Sequence, residues 1–239
     1  MNRFLAGTAF AAATVLGIDG AEAQISYYIG GQGGLTILPD QTDTSNYGGN
    51  YHVEYDPGFN VGVRGGIQWW DFRFEGEYSY TEDDNRHFVM GGVPATKLKG
   101  NRHSHALMSN VLYDFPVNWP VTPHIGFGVG ELEVVDRVNT NTPNQVTNHL
   151  LDFDWVPAAQ AIAGLRYDYN RFVSLELDYR FLTPLEGLRF HTADPLGEAI
   201  VAGNIVRPKY IGWQTGYDTQ NIVLSVVFRC CAAAPAPPP

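Results

Sequence analysis

The chain has 239 residues, of which 44% are hydrophobic and 17% charged, and its 25 acidic against 15 basic side chains give a formal net charge of −10. That acidity argues against nucleic acid as a partner, which requires a basic footprint. The two cysteines, Cys230 and Cys231, are adjacent and cannot close a long loop, so a disulfide framework is excluded as well.

The N-terminus reads as an export signal. Arg3 precedes the apolar, alanine-rich run from Phe4 to Leu16, and Ala21-Glu22-Ala23 is an A-x-A cleavage site. Residues 1–23 are therefore expected to be a Sec signal peptide cleaved after Ala23. The run is shorter than the roughly 20 residues a spanning helix needs. Residues 24–229 are long enough for one large all-β domain, and 230–239 are left as a Cys-Cys and Ala/Pro-rich tail, disordered or polyproline-like in water.

Period-two alternation appears eight times, at about 25–38, 57–68, 71–81, 104–115, 121–134, 156–169, 173–182 and 219–229. Between the second and third strands lies only Trp69-Trp70, between the fourth and fifth Pro116 to Pro120, and between the sixth and seventh Asn170 to Phe172. The remaining connections, near 39–56, 82–103, 135–155 and 183–218, are long and polar. Short turns thus gather at one end and long loops at the other.

The faces are sharply divided. In the third strand Phe72, Phe74, Gly76, Tyr78 and Tyr80 alternate with Asp71, Arg73, Glu75, Glu77 and Ser79. In the seventh, Val173, Leu175, Leu177, Tyr179 and Phe181 alternate with Ser174, Glu176, Asp178 and Arg180. A two-residue Trp69-Trp70 turn would set Arg64 opposite Glu75, Gly65 opposite Phe74 and Val61 opposite Tyr78. The turn at 170–172 would set Arg166 opposite Glu176, with Leu165 and Tyr167 facing Leu177 and Leu175. On a solvated surface each Arg–Glu pair would contribute at most about 1 kcal/mol; in a narrow lumen the pairing has a purpose.

Aromatic residues cluster at strand ends. Trp69, Trp70, Tyr113, Phe115, Trp119, Tyr167 and Tyr169 lie near the short turns, and Tyr78, Tyr80, Tyr179 and Phe181 lie toward the long loops, while the faces between are aliphatic or small. These are the two girdles of a membrane boundary. Strands of this length, tilted by about 45°, cover the roughly 25 Å apolar height of an outer membrane. Hydrocarbon leaves no open sheet edge satisfied, so the eight strands must close. The predicted fold is all-β: an eight-stranded antiparallel up-and-down transmembrane β-barrel with short periplasmic turns and long extracellular loops. Its lumen carries Arg64, Arg73, Glu75, Glu77, Asp114, His124, Arg166, Asp168, Glu176, Asp178 and Arg180, with Gly126, Gly128, Gly130 and Gly164 facing inward beside them.

The segments "YYIGGQGGLTIL", "SNVLYDFP…TPHIGFGVG", "AGLRYDYNRFVSLELDYRF" and "NIVLSVVF" together resemble the N-terminal transmembrane domain of the OmpA-like outer-membrane proteins of Gram-negative bacteria, over residues 24–229. The resemblance implies location in the outer membrane, lipids and the barrel assembly machinery as partners, and Phe228 as the assembly signal of the last strand. "AAAPAPPP" resembles the start of a linker that in many members leads to a peptidoglycan-binding domain, and no cell-wall anchoring carries over to this chain.

The residues name no strong catalytic motif, metal or cofactor. "GGQGG" (30–34) and "GFGVG" (126–130) lie in strands and open no helix, against a phosphate cradle. His103 and His105 would share a face at the mouth of the fourth strand, and with Ser104 they are candidates for the hydrolase or acyltransferase chemistry some outer-membrane barrels carry. The expectation is a non-enzymatic structural barrel serving envelope integrity, with surface adhesion through the long loops, including "HFVMGGVPATKLKG" and the loop bearing Trp213. The alternatives are a small gated pore in which Arg64 with Glu75 and Arg166 with Glu176 are the gates, an outer-membrane lipid-modifying enzyme, and a soluble periplasmic barrel with its faces inverted.

Overall fold

The computed structural model describes residues 25–45, 50–90, 93–94, 97–141, 147–191, 199–201, 204–206 and 212–230. The expected signal peptide, Cys231 and the Ala/Pro-rich tail lie outside these residues. Eight long strands, β1 (Ile25–Ile37), β2 (Gly58–Trp69), β3 (Phe72–Met90), β4 (Lys97–Asp114), β5 (Thr122–Asn141), β6 (Thr147–Asp168), β7 (Val173–Pro184) and β8 (Thr219–Cys230), follow one another round a wall. Each is antiparallel to the next, and β8 pairs back onto β1. The result is a closed barrel.

The stagger of the wall can be followed through its cross-strand partners. From Phe72 of β3 they run through Tyr113, Ile125, Ala163, Tyr179, Ile222, Leu35 and Phe59 and return to β3 at Glu82, ten residues further along. For eight strands such a stagger imposes a tilt of about 40° and an interior only wide enough for side chains. The apolar members of this path point outward, and Ile125, Ile222 and Leu35 are more than half exposed. Glu82, where it ends, marks the top of the apolar belt.

Two sequence expectations are corrected. The segments 82–103 and 135–155, read as loops, are largely strand: β3 and β4 pair up to Asp84 with Asn101, and β5 and β6 up to Asn141 with Thr147. Above the bilayer the outer face meets water rather than lipid and carries polar residues such as Glu82 and Glu133, so the apolar–polar alternation fades while the backbone hydrogen bonds continue. Parts of the other two loops also add to the sheet. Segments 41–45 and 50–55 form a hairpin whose second arm pairs with the top of β3, and 212–215 bridges that hairpin to 188–191.

The β2–β3 register is the second correction. The two turn residues are Trp70 and Asp71 rather than Trp69 and Trp70, and Trp70 has a φ of 57°, the left-handed conformation such a tight turn demands. Trp69 therefore faces Phe72, Arg64 faces Glu77, Gly65 faces Gly76 and Val61 faces Tyr80. A shift of two residues leaves every side chain on its expected face. The β6–β7 register matches expectation, with Arg166 opposite Glu176 and Leu165 and Tyr167 opposite Leu177 and Leu175.

Glycine makes the inner wall of β5 possible. A Cβ at Gly130 would strike the carbonyl oxygen of Leu107 and come within 2.8 Å of Met108 Sδ, whereas one at Gly31, on the outer face, would meet nothing within 4 Å. Gly130→Ala should destabilise the barrel by about 1–3 kcal/mol. Gly31→Ala should stay within about 0.5 kcal/mol of the parent, both read from urea unfolding in lipid vesicles.

Candidate functional site: the packed lumen

Because inward positions alternate along every strand, the charged set converges inside the wall. Arg64, Arg73, Arg166 and Arg180 face Glu75, Glu77, Asp114, Glu176 and Asp178, and all nine are buried. Asp114 lies at the periplasmic end, accepting from Arg73 Nε at 3.1 Å and pairing with Arg166. Above it, Glu176 accepts from Arg64 Nη2 at 2.8 Å and from Arg73 Nη1 at 2.9 Å. Asp178 accepts from Arg64 Nη1 at 2.9 Å and Arg180 Nη2 at 2.8 Å, with His124 Nε2 at 2.9 Å from its other oxygen.

The upper acids are held by neutral donors as well. Glu77 pairs with Arg180 and accepts from Gln32 and Asn110, each at 2.8 Å, and from Gln160 at 3.0 Å. Glu75 accepts from Tyr28 and Asn110 at 3.2 Å and lies 3.7 Å from Arg64 Nε. Buried charges at these separations interact far more strongly than in water, and pairing on this scale offsets much of their desolvation, although Arg64 Nε, Arg166 Nε, Arg180 Nε and His124 Nδ1 are buried without a hydrogen-bond partner among the described residues.

Toward the extracellular end the filling changes character. Ala106, Met108, Leu132, Val134, Val156 and Ala158 of β4–β6 form one buried apolar cluster with Leu182, Leu38, Tyr55, Leu188, Phe190 and Tyr217. The mouth of the barrel is thus stoppered by a small hydrophobic core above the ionic layers.

Several sequence-stated roles move. Arg166 faces Glu176 in register, yet its ion pairs are with Asp114 and with Asp168 at 3.4 Å, so Arg166–Glu176 is not a gate pair. Asp168 is exposed at the periplasmic rim, where Arg229 joins it at 3.0 Å, rather than inside the lumen. Arg64 and Glu75 do meet, though Glu75 is the loosest of Arg64's three acidic partners. His124, Glu176 and Asp178 bring potential metal-ligand atoms within 4.8 Å of one another. Their oxygens already serve Arg64, Arg73, Arg180 and His124, and a cation there would face three guanidinium groups.

His103, Ser104 and His105 divide between the two faces. Ser104 points inward and accepts from Tyr217 Oη at 3.0 Å. His105 instead takes a hydrogen bond with Tyr78 Oη at 2.7 Å, stacks on that ring and meets Tyr80 in a tilted contact at 5.2 Å on the outer face, with His103 beside it at 6.0 Å. The two imidazoles extend the upper aromatic girdle of Tyr78, Tyr80, Tyr179 and Phe181. At the other end Trp69, Trp70, Phe115, Trp119, Tyr167 and Tyr169 are exposed, and Tyr113 packs between Phe72 and Phe115. Phe228 is 54% exposed on the outer face between Ile29 and Val173.

The sequence profile of the family described as "Outer membrane protein beta-barrel domain" matches residues 4–229. A protein of Gluconacetobacter diazotrophicus called "Outer membrane protein" is 31% identical over 131 residues, 52% of this chain and 32% of that protein, so the match spans about a third of the relative's length. Among solved structures, the outer membrane protein OprG of Pseudomonas aeruginosa aligns with a TM-score of 0.61 at 13% identity, covering 87% of this chain and 98% of OprG. A major outer membrane protein of Thermus thermophilus aligns at 0.52 and 12% identity, covering 86% of this chain and 99% of that one. These two alignments support the fold.

The ion network makes Glu176 the acid whose loss should cost most. Glu176→Gln should destabilise the barrel by about 3–5 kcal/mol, because it strands part of two buried guanidiniums. Asp168→Asn at the exposed rim should change stability by less than about 1 kcal/mol. Equilibrium unfolding in vesicles compares the two.

Proposed function

The chain belongs to the outer membrane protein β-barrel domain family, and from that premise we propose that it is a structural, non-catalytic barrel that acts through its wall and its extracellular surface. It is an outer-membrane protein. The observation that carries the reading is the filling of the lumen, with cross-connected ionic layers below and an apolar stopper above. Side chains that largely pair with one another make a stiff strut and a poor conduit. Its partners on this reading are the outer-membrane lipids around the girdles and, during biogenesis, the barrel assembly machinery acting on the last strand.

Catalysis finds little support in the same geometry. The one group of nucleophile and bases that the sequence suggests is split between the lumen and the outer wall, with Ser104 engaged by Tyr217 and His105 by Tyr78 rather than base on nucleophile as activation of a serine requires. The extracellular sheet built from the ends of β3–β6 and the loop strands offers a hydrogen-bonded platform for contact with another surface. This is where adhesion would reside.

A second reading, a gated pore, rests on Arg64 and Glu75, whose 3.7 Å contact is the weakest of the Arg64 pairs. Planar-bilayer recording of the refolded protein beside Glu75→Ala separates the two. The structural reading expects silence from both, since Glu77, Glu176, Asp178 and the apolar stopper remain. Discrete openings that grow in the variant would overturn it in favour of the pore.

A further inference from the structure

Above the apolar belt, where Glu82 and Glu133 already point outward, one row of interior side chains crosses β3 to β6. Asp83, Arg102, Asp136 and Asp152 are direct cross-strand partners in that order. Asp83 is fully buried against Gly58 of β2, whose backbone is the one hydrogen-bonding group at its carboxyl, and among the described residues no side chain donates to either oxygen. Arg102 serves Asp136 instead, donating from Nη2 to Oδ2 at 2.6 Å. Its guanidinium also lies 5.1 Å from the ring centre of Tyr55 and 5.8 Å from that of Phe190, two members of the apolar stopper carried by the loop strands 50–55 and 188–191. One cation thus stands between two buried acids and at the same time holds down the stopper.

We propose that Arg102 is a proton-operated latch on the extracellular mouth: while Asp83 is protonated Arg102 stays on Asp136 and clamps Tyr55 and Phe190, and when Asp83 ionises Arg102 is drawn toward it and the clamp loosens. The geometry is supported by the electrostatics. Burial pushes the Asp83 carboxyl up to about 7, against the pull of Arg102, and the neighbouring Glu82 and Asp84 add to the rise. Facing it from the other elements are Arg102 of β4, the Gly58 backbone of β2 and the Tyr217 hydroxyl ahead of β8, with Asp136 of β5 on the far side of Arg102. An acid whose closed-state value is raised stabilises the closed form fully below the ordinary aspartate range. That contribution is lost as pH rises toward about 7, at up to about tenfold per pH unit. The mouth is therefore tight in acid and loose near neutrality.

Hydrogen exchange of the full-length refolded protein tests this on peptides covering 50–55 and 188–191, at pH 5 and pH 8, corrected for the intrinsic chemical rate. Protection of both should fall tenfold or more from pH 5 to pH 8. Asp83→Asn should be protected equally at both, and Asp136→Asn, which frees Arg102 for Asp83, should move the transition below pH 5. Three results would overturn the latch: constant protection in the parent, a parent-like loss in Asp83→Asn, or lower protection of Asp83→Asn at pH 5, which would make the row simple packing.

Discussion

Hydrocarbon offers no partner for a backbone amide or carbonyl, so a sheet that enters it must bond every strand on both sides. Closure of β8 onto β1 answers that demand, and the rest of the architecture descends from it. Eight strands with a stagger of ten residues leave room for side chains and little else, which forces the inward residues to pack against one another. The glycines of β5 and the long arginines of β2, β3, β6 and β7 are two halves of one solution: volume is withheld on one wall and supplied from the others.

Inside that volume the chain uses charge where it could have used methyl groups. An apolar filling of similar shape would often match a buried ion pair in stability, as the apolar cluster at the extracellular end illustrates within the same barrel. Ion pairs add directionality. Asp178, for instance, is met by Arg64, Arg180 and His124 from three different strands, and only one arrangement of those strands satisfies it.

Much of this was legible from residue order because lipid and lumen impose opposite demands on alternate positions. The outer face of β7, Val173 to Phe181, and its inner face, Ser174 to Arg180, read directly as exposed apolar and buried polar. What the alternation cannot convey is pairing at a distance. That Arg166 would choose Asp114 over the Glu176 opposite it depends on β4 lying one strand beyond β5. The neutral partners Gln32, Asn110 and Gln160 carry no charge to draw attention, although their parity places them inside. Above the bilayer the signal vanishes, because the outer face meets water and the inner face is itself partly charged, so the upper thirds of β3–β6 carry no apolar–polar alternation. Continuing the inward parity of β4 past Ser104 would have found Arg102. The Trp70 turn lies one residue beyond its expected place, because its left-handed backbone is occupied by a side chain that usually avoids that conformation.

Several ion pairs of the lumen join strands that are not neighbours. Arg64 of β2 and Arg73 of β3 reach Glu176 on β7, and Arg180 of β7 reaches back to Glu77 on β3. Backbone hydrogen bonds resist shear within the wall but do little against flattening of the cross-section. These links span the diameter like the spokes of a wheel, so the lateral pressure of the surrounding acyl chains is borne by guanidinium–carboxylate contacts in compression and tension. A barrel braced in this way keeps a round section as the membrane thins or bends, and its strands should part together rather than one at a time.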